Sequence, residues 1–123
     1  MKIQMMDVSL IIPYDQNPRI NNAAVGPVAN SIQEFGFRQP LVLDDDNVVI
    51  AGHTRLLAAI SLGMTEVPVH IASDLAPEQI RALRIADNQT ATIADWDFTL
   101  LPLEISALQE MDFDLSLLGF PDD

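Results

Sequence analysis

Four residues, Gly52-His53-Thr54-Arg55, stand where the β-branched run "VVIA" gives way to the apolar-periodic "LLAAISLG". A glycine that closes a strand just ahead of a helix aims several unpaired backbone N–H groups at one spot. The helix dipole adds roughly half a positive charge there. The Arg55 guanidinium offers a planar fork matched to phosphate oxygens. Thr54 suits either an N-cap or a hydroxyl ligand, and His53 borders the same spot. The chemistry on offer is anion binding. The competing reading is a capped turn whose arginine pairs with a surface carboxylate, and a bare G-x-x-R does not decide between them.

Asp87 is the second feature. At about 100° per residue, Ile80, Leu83, Asp87, Ala91 and Ala94 fall on one stripe of a long predicted helix, which puts a carboxylate on the face expected to turn inward. Such a group is costly unless paired, hydrogen-bonded or bound to a cation. Asp87 therefore either makes a structural pair, or joins Asn88 as oxygen ligands of a cation beside a phosphate. In "NPR", the Asn17-Pro18 turn stiffens the chain ahead of Arg19, and Gln39-Pro40 follows Arg38. Arg19, Arg38 and Arg55 lie in or beside predicted loops, as an anion pocket would require and as ordinary surface placement would also give. His53 and His70 lack a partner at metal-ligand spacing, so His70 reads as a strand residue with a satisfied imidazole. Trp96 reads as an anchor of the last helix to the core.

The elements that must position these residues follow from periodicity and turn signals. Residues 2–12 alternate as a strand ending at Pro13, before the polar loop "YDQNPRINN". Val25, Val28, Ile32 and Phe35 mark a helix over 25–35 stopped by Gly36. "QPLVL" and "VVIA" flank "DDDN" as a β-hairpin. A helix over 54–62, with Leu56, Leu57 and Ile60 facing the core, ends at Gly63. A strand over 66–72 and helices over 77–93 and 98–110 complete an α+β domain.

Composition bounds the function. The 123 residues suffice for one domain with a real core, and 49% are hydrophobic. No apolar run nears the roughly 20 residues that span a bilayer, and the start lacks a signal-peptide pattern, so a cytoplasmic location with no membrane association is expected. The absence of cysteine excludes disulfides, thiolate metal sites and cysteine nucleophiles. Net charge is −12. Residues 1–84 hold 9 acids and all 6 bases, whereas residues 85–123 hold 9 acids and no Lys or Arg. A duplex-binding surface carries a basic patch, so any DNA contact is expected either through a local patch or indirectly, through another domain or a partner.

Taken in order, "LIIPYDQNPR", "SIQEFGFRQPLVL", "VVIAGHTRLLAAISLGMTEVPV" and "LRIADNQTA" resemble successive blocks of the ParB N-terminal, or ParB/sulfiredoxin-like, domain. The tail "DWDFTLLPLEISALQEMDFDLSLLGF" resembles the phage and bacterial branch associated with DNA methyltransferases. The resemblance implies a small mixed sheet packed with helices over residues 1–95 and an acidic helical C-terminal extension over 96–123. It further implies a nucleotide, CTP or ATP, cradled by Gly52, His53, Thr54 and Arg55, with Gln39, Asn17 and Arg19 bordering the pocket. Asp87 and Asn88 would hold Mg²⁺. The implied partners are DNA and a DNA methyltransferase or similar protein, and a homodimer is compatible with the resemblance.

Two departures matter. Thr54 stands where partition-type members show an arginine, and Thr90-Ala91-Thr92 replaces a further arginine. Each lost charge-assisted phosphate contact is worth about 1.5–3 kcal/mol, so triphosphate binding is expected to be weakened and CTP hydrolysis is not expected. His53 occupies the position of the sulfiredoxin cysteine, which excludes sulfinic-acid repair. The expected function is thus a nucleotide- or phosphate-binding domain of a DNA-modification or partition-type system. The alternatives are a Mg²⁺-dependent nuclease or nucleotide-dependent phosphotransferase, and a protein-interaction module whose pocket is vestigial.

Overall fold

The computed structural model describes residues 1–15, 22–93 and 96–120. Strand β1 (Gln4–Asp7) is shorter than the alternation of residues 2–12 predicts. The Asp7 carboxylate accepts from the Ser9 amide at 2.8 Å and from its hydroxyl at 2.7 Å. This local cap offers the backbone an alternative to the ladder, and a 3-10 turn over Val8–Leu10 follows. The chain then crosses the sheet. Ile11 is buried in the core, and Ile12 bridges Val48 in parallel.

Helix α1 (Val25–Phe35) leads to the hairpin of β2 (Leu41–Leu43) and β3 (Val49–Ala51), then to α2 (His53–Ser61) and β4 (Glu66–Ile71). The sheet order is β1-β4-β2-β3. β4 runs antiparallel to β1, with Met6 opposite Val67, and parallel to β2, with Val42 opposite His70. Leu41, Leu43, Val49, Val67 and Val69 fill the inner face with Leu56 and Ala59 of α2. Each fully buried Leu or Val contributes about 1.5–3 kcal/mol, so this layer fixes where the end of β3 meets α2.

Ala58 lets α1 approach α2 through Ala29 and Ile32. Leu57 and Ile60, expected in the core, are exposed instead. The buried face of α2 is Leu56-Ala58-Ala59, because two layers press on it from different sides and small side chains fit there.

Helix α3 (Pro77–Ile93) lies against β3, and α4 (Leu101–Glu110) follows. The α4 start is three residues later than predicted, because the Asp97 carboxylate accepts from the Thr99 and Leu100 amides in a turn. A final 3-10 turn (Leu115–Leu118) returns the chain to α1, where Phe113 stacks on Phe35 at 6.0 Å. Trp96 is 58% exposed and tilts against Phe120 at 5.6 Å. It joins the surface of the tail and does not anchor the core. Among the described residues, no helix is long and apolar enough to cross a membrane.

Candidate functional site

Gly52 holds the turn between β3 and α2 in the left-handed region, at φ 105° and ψ 24°. A Cβ there would stand 2.5 Å from Leu41 Cδ2 and 3.0 Å from Arg55 Nη2. The position therefore requires glycine for its conformation and for the close approach of its neighbours. α2 starts at His53, with Leu56 N donating to Gly52 O at 2.9 Å, and no side chain caps it. Arg55 lies in the first turn of α2.

Arg55 is drawn back over the turn. Its Nη1 donates to Gln39 Oε1 at 3.2 Å and its Nη2 to Pro40 O at 3.2 Å, while Nε is buried with no hydrogen-bond partner. A buried donor left without a partner costs about 1–3 kcal/mol. Burial pushes the Arg55 pKa down from its ordinary value, and the Asp87 carboxylate opposes that shift. Beyond the guanidinium a cavity of about 390 Å³ opens between α1 and Gln39, lined by Val28, Ser31, Phe35, Arg38, Gln39 and Arg55. Its surface is mainly apolar, with polar groups from Ser31, Arg38, Gln39 and Arg55.

The Tyr14 amide donates to His53 Nε2 at 3.0 Å, so that nitrogen is the acceptor and the proton of the neutral ring sits on Nδ1. Burial lowers the His53 pKa, and the Arg84 charge lowers it further. Arg84 was not singled out by sequence. It is 8% exposed, donates from Nε to Val49 O at 3.1 Å, lies 3.6 Å from Asp44 Oδ2, and stacks over the Tyr14 ring at 3.7 Å. It fastens α3 to the hairpin and to the segment that reaches His53.

Asp87 is exposed, contrary to the stripe expected from spacing. The inward line of α3 is Ile80, Arg84 and Asn88, four residues apart, while Leu83 and Ile85 face outward. Among the described residues the helix docks mainly on β3, so its buried line is narrow and satisfied polar groups occupy it. Asn88 donates from Nδ2 to Arg84 O at 3.0 Å. Asp87 still acts electrostatically on Arg55. Ala94 and the side chain of Ala91 lie outside what the structure describes, as do Asn17 and Arg19 of the "NPR" block.

Gly52, His53, Thr54, Arg55 and Gln39 thus come together at one turn. Sequence reasoning missed Tyr14, Arg84 and the Pro40 carbonyl. The only signal for Arg84 was its place four residues from both Ile80 and Asn88. His70 Nδ1 is 2.9 Å from Lys2 O, away from this turn. A second cavity, about 650 Å³ and lined by Tyr14, Asp44, Asp46, Glu78, Arg81 and Arg84, does not include the glycine turn. Among the described residues, no group of three or more His, Cys, Asp or Glu side chains could hold a metal ion.

The sequence matches the ParB N-terminal domain over residues 1–89 and the ParB-methyltransferase HTH domain over residues 99–123. It is 36% identical over 80 residues to the ParB-like nuclease domain-containing protein YnaK of Escherichia coli K12, covering 64% of this chain and 92% of that one. It is also 36% identical over 89 residues to the probable chromosome-partitioning protein ParB of Campylobacter jejuni, covering 68% of this chain and 32% of that protein. In structure it resembles the C-terminally truncated ParB of Caulobacter crescentus complexed with CTP-γ-S, with a TM-score of 0.76, 22% identity, and 90% and 64% of the two chains covered. Sulfiredoxin of Arabidopsis thaliana aligns at TM-score 0.56 and 21% identity, over 68% of this chain and 97% of that one. These two structural likenesses speak to the fold.

Proposed function

The chain belongs to the ParB N-terminal domain family, and from that membership we propose that it binds a nucleoside triphosphate at the Gly52–Arg55 turn. The observation that carries the reading is Arg55, whose buried Nε has no partner beside a glycine turn at a helix N-terminus. The α2 amides and the Arg55 fork suit phosphate oxygens. The cavity walled by Val28, Phe35 and Gln39 suits a base and ribose. Gln39 would then exchange its hydrogen bond to Arg55 for one to the ligand, while His53 stays neutral and holds the Tyr14 segment in place. Asp87 and the Asn88 Oδ1 would hold Mg²⁺, which neutralises phosphate charge when bound. Asn17 and Arg19 are proposed contacts from the neighbouring loop.

The domain would serve a DNA-modification or partition-type system, with DNA contact made mainly by another domain or a methyltransferase partner. The ParB-methyltransferase HTH match over residues 99–123 supports that setting. Binding without hydrolysis fits the two absent arginines. The name of the Escherichia coli relative makes nuclease activity the second reading, although a two-metal nuclease requires clustered carboxylates.

Calorimetry with CTP and with ATP, each with and without Mg²⁺, tests the proposal. Arg55→Ala should weaken the preferred nucleotide by about 1.5–3 kcal/mol, roughly ten- to a hundredfold, with the fold checked by circular dichroism. Unchanged affinity in that variant, or no binding of either nucleotide to the wild type, would remove the idea. Mg²⁺-dependent nicking of plasmid DNA would move the assignment to a nuclease.

A further inference from the structure

Helix α4 has no fully buried residue, yet it carries apolar side chains on two faces. Leu101, Ile105 and Leu108 are half-buried. Leu100, Leu103 and Met111 are 58%, 63% and 74% exposed. At about 100° per residue these three fall with Ala107 inside an arc of about 80°, centred some 120° round the helix from the first face. Glu104 borders the arc on one side and Glu110 on the other. Exposed Phe98 lies just ahead of it. A helix apolar on two faces is suited to being sandwiched, and this one is covered on one.

Charge decides what covers the other. Residues 85–123 carry 9 acids and no Lys or Arg. Duplex DNA finds no phosphate-neutralising group there, although residues 99–123 match a helix-turn-helix domain. A second copy would bring the same negative surface, within a chain of net charge −12. We infer that the Leu100-Leu103-Met111 face of α4 is a docking surface for a basic protein partner, one that presents apolar anchors flanked by Lys or Arg. The apolar stripe supplies the buried centre and Glu104 and Glu110 the charged rim. This inference does not rest on the nucleotide reading.

The test uses the full chain and a synthetic Lys/Leu peptide patterned as an amphipathic helix, with a scrambled peptide of the same composition. Duplex DNA and self-association by sedimentation are measured alongside. The patterned peptide should bind at least about tenfold more tightly than the scrambled one, and the double variant Leu103→Ser, Met111→Ser should lose about tenfold of that affinity. Both side chains are exposed, so thermal melting should be unchanged, as should nucleotide affinity at Arg55. Equal binding of the two peptides, absence of binding, or indifference to the double variant would overturn the inference. So would a dimer or a DNA complex that the same variant abolishes.

Discussion

Arg55 and His53 stand two residues apart in one turn, yet burial treats them differently. A guanidinium pushed down from its ordinary value still remains charged at neutral pH, so Arg55 keeps its attraction for phosphate. An imidazole pushed below about 6.5 becomes fixed as the neutral acceptor of the Tyr14 amide. Because folding favours the neutral form, the stability this contributes is full above about pH 6.5 and is lost as pH falls toward and through the lower folded-state value. His53→Gln, which keeps a neutral acceptor, should therefore lose less stability than wild type between about pH 6.5 and 5. Urea midpoints across that range check it, and superimposable pH profiles would show that His53 does not titrate as argued. The strand-to-helix turn itself was legible from residue types, since a glycine, a helix start and an arginine three residues on need no long-range information. The orphaned Nε was not, because it depends on what the rest of the fold leaves beside it.

At the scale of elements, α3 is held by a polar clasp where an apolar stripe was expected. Arg84 joins three neighbours at once: the Val49 carbonyl, the Asp44 carboxylate and the Tyr14 ring. Arg84→Met keeps much of the volume and removes all three interactions. We expect a destabilisation of about 2–4 kcal/mol, read as a lowered urea midpoint. Asp44 also accepts from the Asp46 and Val48 amides, so the hairpin itself should keep its strand signal in circular dichroism. A midpoint equal to wild type would remove the clasp as a structural device. Helical periodicity identified α3 and very nearly its ends, but chose the wrong face. Hydrophobic spacing locates a buried stripe only when burial is driven by apolar contact, and here satisfied polar groups do the joining.

The whole molecule is an acidic body whose cations gather in the first two thirds of the chain. At about 0.15 M salt, fluorescence anisotropy should register no binding of a duplex oligonucleotide by this chain alone, because nothing offsets the repulsion between phosphates and a charge of −12. Retention of the duplex at that salt would overturn the expectation of indirect DNA contact. The sequence by itself determined the α+β class, the element order and the turn at Gly52–Arg55, since local propensity, caps and periodicity act over a few residues. Charge segregation was equally plain from composition. Only the tertiary structure decided which residues meet. It laid Gln39 and Pro40 on Arg55, carried Tyr14 across the sheet to His53, and turned Arg84 inward and Asp87 outward. Those pairings span 15 to 39 residues of chain, and contacts at that separation follow from the layering of sheet and helices, which no local pattern encodes.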